Sequence, residues 1–318
     1  MQSPRTVFMG TPAFSLHVLQ AIERLGWPIA SVYTVPDSPA GRGRVLRPTA
    51  VKAYAEARGY PVLTPESLRA AEEVDRLRSL QPDLVVLAAY GKLLPPEWLA
   101  TPPLGCLNVH PSLLPRHRGA VPVPATILAG DAETGVSLMV MDAGMDTGPV
   151  VAQARVPLRG DERAPELTDR LFRLGADLLL THGPAYVAGK LPPEPQPSEG
   201  ATVSRRLKRE HGVIDWTKPA VVLERQTRAY DPWPGAVTSC RGRKLDVLEA
   251  RVEAERADAP PGTVVALRKD GIAVATGDGL LVLRRVRLEG RNPVAGADFA
   301  RGQRDMEGAV LGEGSGSN

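Results

Sequence analysis

The 318-residue chain has only two cysteines, Cys106 and Cys240, and they lie far apart. That excludes a disulfide scaffold and any cysteine-rich zinc module. No uninterrupted apolar run reaches the roughly 18 residues of a membrane span. The opening Met1-Gln-Ser-Pro-Arg-Thr passes almost at once into Val7-Phe8-Met9-Gly10, so no secretion leader is expected. The expectation is a soluble cytoplasmic protein, with a monomer as the default. There is no internal repeat. Several familiar motifs also fail. Gly41-Arg42-Gly43 lacks the third glycine of a dinucleotide fingerprint and does not open a helix directly after a strand. Gly183–Lys190 has five residues between its glycines, where a phosphate loop needs four, and Leu191 follows the lysine. There is no Gly-x-Ser-x-Gly elbow and no histidine pair at metal spacing.

What is present is enough for two cores. Hydrophobic residues make up 43%, too many for a disordered chain. The length exceeds the usual size of a single core. The net charge of +3 is unevenly placed. Residues 1–203 hold 19 Lys+Arg against 20 Asp+Glu, whereas 204–318 hold 20 against 16. The basic excess therefore belongs to the C-terminal third.

The first half alternates apolar strands with helices. Strands are expected at Arg5–Met9, Ile29–Val35, Val62-Leu63, Asp83–Ala89, Leu107–His110, Gly135–Met141 and Val150–Val156. Helices are expected at Phe14–Leu25, Ala50–Arg58, Pro65–Leu80 and Ala164–Ala188. Continuous apolar strands between helices indicate a Rossmann-like, doubly wound, mostly parallel α/β sheet. In such a sheet ligands bind beyond the carboxyl ends of the strands. Lys190–Ala201 (KLPPEPQPSEGA) reads as an extended linker. A helix at Pro219–Tyr230 then precedes five short strands with tight turns at Lys269-Asp270-Gly271 and Gly277-Asp278-Gly279. Those strands imply a small antiparallel β-barrel of the oligonucleotide-binding type. The resulting division is a catalytic domain at 1–189, a linker at 190–209 and a barrel at 210–318. Gly312–Asn318 reads as a disordered tail.

The stretch Gly105–Gly119 (GCLNVHPSLLPRHRG) carries the chemistry. Asn108 and His110 alternate at a strand end, so both side chains share one face. An amide donor beside an imidazole suits a developing oxyanion. The turn Pro111-Ser112-Leu113-Leu114-Pro115 follows. A second element, Met141–Gly148 (MDAGMDTG), brings Asp142 and Asp146. An adjacent carboxylate is expected to raise the histidine pKa. Singly, each piece has a plain reading: a solvated or structural histidine at His17, His117, His182 and His211, an Asx turn at Asn108, loop caps at Asp142 and Asp146. Jointly, Asn, His and Asp form an acyl-transfer constellation.

Asn108-Val-His110, Ser112-Leu-Leu-Pro115, Arg118-Gly119 and Asp142-x-Gly-x-Asp146-Thr-Gly148 closely resemble the signature of the folate-dependent formyltransferase family. Phe8–Phe14, Pro36–Gly43, Ala89–Pro95, Ile214–Trp216 and Ala229–Gly235 look like its methionyl-tRNA branch, so the resemblance covers nearly the whole chain. His117 stands where that family usually has an aromatic residue, and Pro124 where it commonly has Gln.

The resemblance implies a formyl transfer from 10-formyltetrahydrofolate, as co-substrate, to an amine on initiator methionyl-tRNA, without a metal. It assigns Asn108 and His110 to the formyl oxygen and Asp146 to the orientation and protonation of His110. It places folate against Ala89, Tyr90, Gly91, Leu93, Asp142 and Ser112, Leu113, Leu114, Pro115. It also gives phosphate contacts to Arg42, Arg44 and Arg47 in one loop and to Arg205, Arg206, Lys208 and Arg209 after the linker. The other readings are formyl transfer to a small amine, formyl transfer to water, and a tRNA-binding protein with a relic catalytic domain.

Overall fold

The computed structural model describes residues 3–40 and 45–312. In chain order its strands are β1 (Thr6–Gly10), β2 (Ile29–Tyr33), β3 (Ser38–Ala40), β4 (Val45–Arg47), β5 (Val62–Leu63), β6 (Leu84–Ala88), β7 (Cys106–His110), β8 (Arg118–Gly119), β9 (Glu133–Val140), β10 (Val150–Pro157), β11 (Val203–Ser204), β12 (Ala236–Cys240), β13 (Arg243–Glu253), β14 (Val264–Arg268), β15 (Gly271–Ala275), β16 (Leu280–Leu288) and β17 (Val294–Ala295). The helices are α1 (Leu16–Arg24), α2 (Ala50–Ala57), α3 (Ala71–Ser79), α4 (Pro96–Ala100), α5 (Pro122–Ala129), α6 (Ala164–Val187), α7 (Ala220–Ala229) and α8 (Gly296–Arg301). The chain forms two compact units. One comprises Met1–Pro122, Glu133–Pro157 and Leu167–Arg205; the other comprises Val123–Ala132, Leu158–Glu166 and Arg206–Asn318.

The first unit is built on a seven-stranded sheet in the order β10-β9-β7-β6-β1-β2-β5. Strands β5, β2, β1, β6 and β7 run parallel; β9 pairs antiparallel with β7, and β10 pairs antiparallel with β9. Every residue of β1 and β6 is buried, as their unbroken apolar runs require. Alternation then makes two cores. Phe8, Val32, Val86 and Leu107 pack with Val18, Leu19 and Ile22 of α1 and with Phe172 and Leu179 of α6. Val7, Met9, Val85 and Leu87 pack with Val74 and Leu77 of α3 and Trp98 of α4. Each such side chain contributes about 1.5–3 kcal/mol by leaving water.

The chain moves to opposite sides of β1 when it forms β2 and β6, which creates a crevice beyond the strand ends. Two hydroxyls tie that crevice together: Thr11 Oγ1 donates to the Tyr90 carbonyl at 3.1 Å and Ser15 Oγ to the Ala88 carbonyl at 2.7 Å.

The helices depart from the sequence expectation in places. The helix expected over Pro65–Leu80 starts only at Ala71. The Pro65 and Glu66 carbonyls accept from Lys92 Nζ at 2.6 and 2.7 Å, so a side chain takes bonds that a helix would have made. Helix α5 lies where the sequence pattern predicts no element, yet its prolines Pro122 and Pro124 fall in the first turn, where no backbone donor is lost.

The second unit is an antiparallel sheet in the order β12-β13-β16-β15-β14, with β17 beside β16. Its core includes Ile214, Trp216, Leu223, Val247, Ile272, Leu281 and Leu283. Strands β12 and β14 do not pair with each other. Their outer edges are joined through one segment: Leu311 N donates to the Gly262 carbonyl at 2.8 Å and Gly312 N to the Ser239 carbonyl at 2.9 Å. That segment completes the barrel-like curl. The rest of the expected tail lies outside the described residues.

Candidate active site

Asn108 and His110 sit at the carboxyl end of β7, and the loop after β9 brings Asp146 to them. Asn108 Nδ2 lies 3.5 Å from Asp146 Oδ1, and His110 Nδ1 lies 3.7 Å from Asp146 Oδ2. Both separations exceed a good hydrogen bond. The strong bonds of this trio go to the backbone. Gly119 N donates to Asp146 Oδ2 at 2.8 Å, and His110 Nε2 donates to the His117 carbonyl at 3.0 Å. A carbonyl can only accept, so Nε2 carries the proton and Nδ1 faces the carboxylate.

His110 is 4% exposed. The sequence expectation of a raised histidine pKa is overturned here. Burial pushes the imidazole below its ordinary value of 6.5, outweighing the opposite pull of Asp146 and of the His117 carbonyl. The resting group is a neutral imidazole with a free lone pair on Nδ1.

The loop geometry explains the glycines. A Cβ at Gly148 would collide with the Val140 carbonyl oxygen, and one at Gly119 with that of Ser204. Asp142 caps the same loop: its Oδ1 accepts from Gly144 N at 3.0 Å and from Thr147 Oγ1 at 2.8 Å. Asp146 and His117 hold left-handed φ angles of 53° and 55°. The site uses the carbonyl of His117, which is why an unexpected side chain at that position leaves the trio intact.

The residues expected to meet folate divide into groups. Leu93 and Asp142 line a cavity of about 640 Å³, with Leu94, Pro95, Met141 and Gly144 and with Arg69 and Val74 on the α3 side. Ala89, Tyr90 and Gly91 follow β6 but do not line it. Tyr90 is buried, and Ala89 has a left-handed φ of 50°. Ser112–Pro115 is held from within the protein. Ser112 Oγ donates to the Arg116 carbonyl at 2.7 Å, and Ser137 Oγ donates to the Ser112 carbonyl at 2.7 Å. Gln153 Nε2 donates to the Leu114 carbonyl at 2.9 Å. Ser112 and Leu114 are buried, while Leu113 and Pro115 are half-buried.

Of the expected phosphate contacts, Arg42 and Arg44 lie outside the described residues. Arg47 is exposed at the end of β4. Arg205, Arg206, Lys208 and Arg209 lie on the surface, and among the described residues Arg205, Arg206 and Arg209 form no ion pair.

The sequence pattern does not disclose the part played by the Pro-rich stretch. It lies as a strap along the first unit. Val150 and Glu194 form an antiparallel bridge, and β11 pairs with β8. Gln196 Nε2 donates to the carbonyls of Asp146 at 2.8 Å and Gly148 at 2.7 Å, while its Oε1 accepts from Arg118 Nε and Nη2 at 3.0 and 2.8 Å. Proline and polar composition signals an extended chain; nothing local announces such partners.

Two family profiles match, "Formyl transferase" over residues 5–182 and "Formyl transferase, C-terminal domain" over 206–304. The chain therefore belongs to the formyl transferase family. Within it, the chain is 50% identical over 313 residues to a methionyl-tRNA formyltransferase of Roseiflexus sp., covering 98% of this chain and 96% of the relative. It is 47% identical over 309 residues to the Myxococcus xanthus methionyl-tRNA formyltransferase, covering 97% and 98%. These likenesses place it in the methionyl-tRNA formyltransferase branch. Among solved structures, the methionyl-tRNA formyltransferase of Clostridium thermocellum shares the fold at TM-score 0.54 and 16% identity, covering 86% of this chain and 99% of that one. An N-formyltransferase of Helicobacter canadensis does so at TM-score 0.63 and 16% identity, covering 88% and 98%.

Proposed function

We propose that this enzyme transfers the formyl group of 10-formyltetrahydrofolate to the α-amino group of initiator methionyl-tRNA, giving formylmethionyl-tRNA for translation initiation. The observation that carries the chemistry is the convergence of Asn108, neutral His110 and Asp146 at one strand end. The cavity lined by the same loop supports a folate donor, with apolar walls at Leu94, Val74 and Met141 and an open polar side at Asp142. A single oxyanion donor of this kind supplies roughly 2.7–4 kcal/mol of barrier lowering.

The residues divide the work as follows. Asn108 donates its amide hydrogen to the formyl oxygen as negative charge grows there. His110 accepts, on Nδ1, the proton that the attacking amine must lose. Its Nε2–H bond to the His117 carbonyl keeps that lone pair directed at the site. Asp146 stabilises the resulting imidazolium across 3.7 Å. The protonated His110 then faces the same oxygen together with Asn108. On collapse it returns the proton to the departing folate nitrogen, so the proton count closes. No water-derived base is needed in this scheme.

For the acceptor, we assign 1–189 to catalysis, 190–209 to the strap and its basic end, and 210–318 to RNA binding. Arg42, Arg44 and Arg47, and Arg205, Arg206, Lys208 and Arg209 at the basic end of the strap, contact acceptor phosphates. The test is to offer labelled donor with methionyl-tRNA, small amines or water alone. Label on the methionyl amine is expected. Label on a small amine or in formate, with none on methionyl-tRNA, would contradict the proposal.

A further inference from the structure

We propose that Gln196 is a positioning residue for the reaction centre, with Thr202 and Ser204 completing a strap that fixes the backbone groups on which His110 and Asp146 depend. The inference deepens the reading above and rests on it for the reaction being measured.

His110 and Asp146 each have one short backbone bond, to the His117 carbonyl and the Gly119 amide. The strap holds both of those backbone segments. Thr202 Oγ1 accepts from His117 N at 2.8 Å. The Thr202 carbonyl accepts from Arg118 N at 2.9 Å, and Thr202 N donates to the Pro115 carbonyl at 3.3 Å. Ser204 Oγ donates to the Arg118 carbonyl at 2.9 Å and accepts from Val121 N at 3.1 Å. Gln196 holds the third segment, with both hydrogens of its amide given to the Asp146 and Gly148 carbonyls.

Gln196 also joins the two sides. Its oxygen takes the Arg118 guanidinium, so the loop bearing Asp146 and the segment bearing His117 and Gly119 are linked through one side chain. Only an amide meets this requirement, because the side chain must donate twice and accept on the other atom. A carboxylate would keep Arg118 but would face two carbonyl oxygens with no hydrogen to offer. Asp146 needs such support. It holds a left-handed φ of 53°, a conformation that survives where neighbours over-determine it.

Three variants separate positioning from simple stabilisation. Gln196→Met keeps the volume and loses every bond; Gln196→Glu keeps only the arginine bonds; Thr202→Val frees His117 N. Each Gln196 variant is expected to lower kcat about tenfold, the size of one supporting hydrogen bond of about 1.4 kcal/mol. KM for donor and for tRNA should stay within about twofold. A loosened Asp146 stabilises the His110 imidazolium less, so the acidic limb of kcat/KM moves to lower pH. Asp146 and His117 are the titratable groups that face His110, and both keep their identity in the Gln196 variants.

A second readout needs no turnover. Nitrogen-resolved NMR of His110 in the intact protein should show its titration displaced to lower pH in Gln196→Met. Wild-type kcat and an unmoved His110 titration in both Gln196 variants would overturn the inference. So would a loss confined to melting temperature. If wild type transfers no formyl to methionyl-tRNA, the functional reading fails, and the NMR comparison still decides the role of Gln196.

Discussion

The two units handle charge in opposite ways. In the first, one imidazole and one carboxylate are sheltered from solvent and held by backbone groups, at separations that leave them without a direct hydrogen bond to each other. In the second, several arginines of the sheet are matched to acids on neighbouring strands and turns. Arg251 meets Asp270 at 2.8 Å, Arg287 meets Asp246 at 2.7 Å and Arg268 meets Glu253 at 3.1 Å. The comparison shows why net charge alone is a poor guide. Much of the basic excess of the second unit is answered within its own sheet. Arg205, Arg206 and Arg209 differ: among the described residues they form no ion pair, whereas Lys208 meets Glu210 at 3.5 Å. Cations without internal partners are the ones available to phosphates.

The comparison breaks most readily at the reaction centre. Replacing Asn108 or His110 by Ala should reduce kcat about 10²–10³-fold, read from initial rates of formyl transfer. Next comes Gly119→Ala, whose Cβ meets the Ser204 carbonyl and whose φ is 98°. Thermal melting should register a loss of about 1–3 kcal/mol, with a fall in kcat because Gly119 N leaves Asp146.

The pH dependence of stability sharpens the contrast further. His110 resists protonation in the folded state but not in the unfolded chain. Below its ordinary value of 6.5 the unfolded chain therefore binds the extra proton, and stability falls with pH from there down to the lowered folded value. His110→Asn should remove that part of the slope in denaturant titrations run across this window.

At the basic end of the strap, changing Arg205, Arg206, Lys208 and Arg209 to Ala should flatten the salt dependence of tRNA binding, by about one unit of slope for each phosphate that is no longer neutralised. An unchanged slope would remove this segment from RNA recognition. The smallest effect is expected at the exposed pair Arg285–Glu249, 3.4 Å apart. Arg285→Ala should cost about 0–1 kcal/mol in melting experiments and leave the salt slope where it was.

Much of this is legible in the sequence, and for physical reasons. Val7–Met9 and Val85–Leu87 are apolar on both faces, so they had to be central parallel strands, and Asn108 and His110 had to share a face by alternation. Lys92 cannot be read that way: its long side chain reaches back 26 and 27 residues to replace the first turns of an expected helix. Nor can the protonation of His110, because a nearby carboxylate is visible in the motif while the depth of burial is a property of the packed unit. Gln196 is hidden for a similar reason. Its partners lie 48 to 78 residues away, and a lone polar residue among prolines carries no local sign of them.

The most direct test of the central claim is single-turnover transfer of a labelled formyl group from 10-formyltetrahydrofolate to methionyl-tRNA, wild type against His110→Ala and Asn108→Ala. The account predicts label on the methionyl amine with wild type, and rates lower by about 10²–10³-fold with either variant. Transfer at the wild-type rate by both variants, or label released only as formate by the wild type, would contradict it.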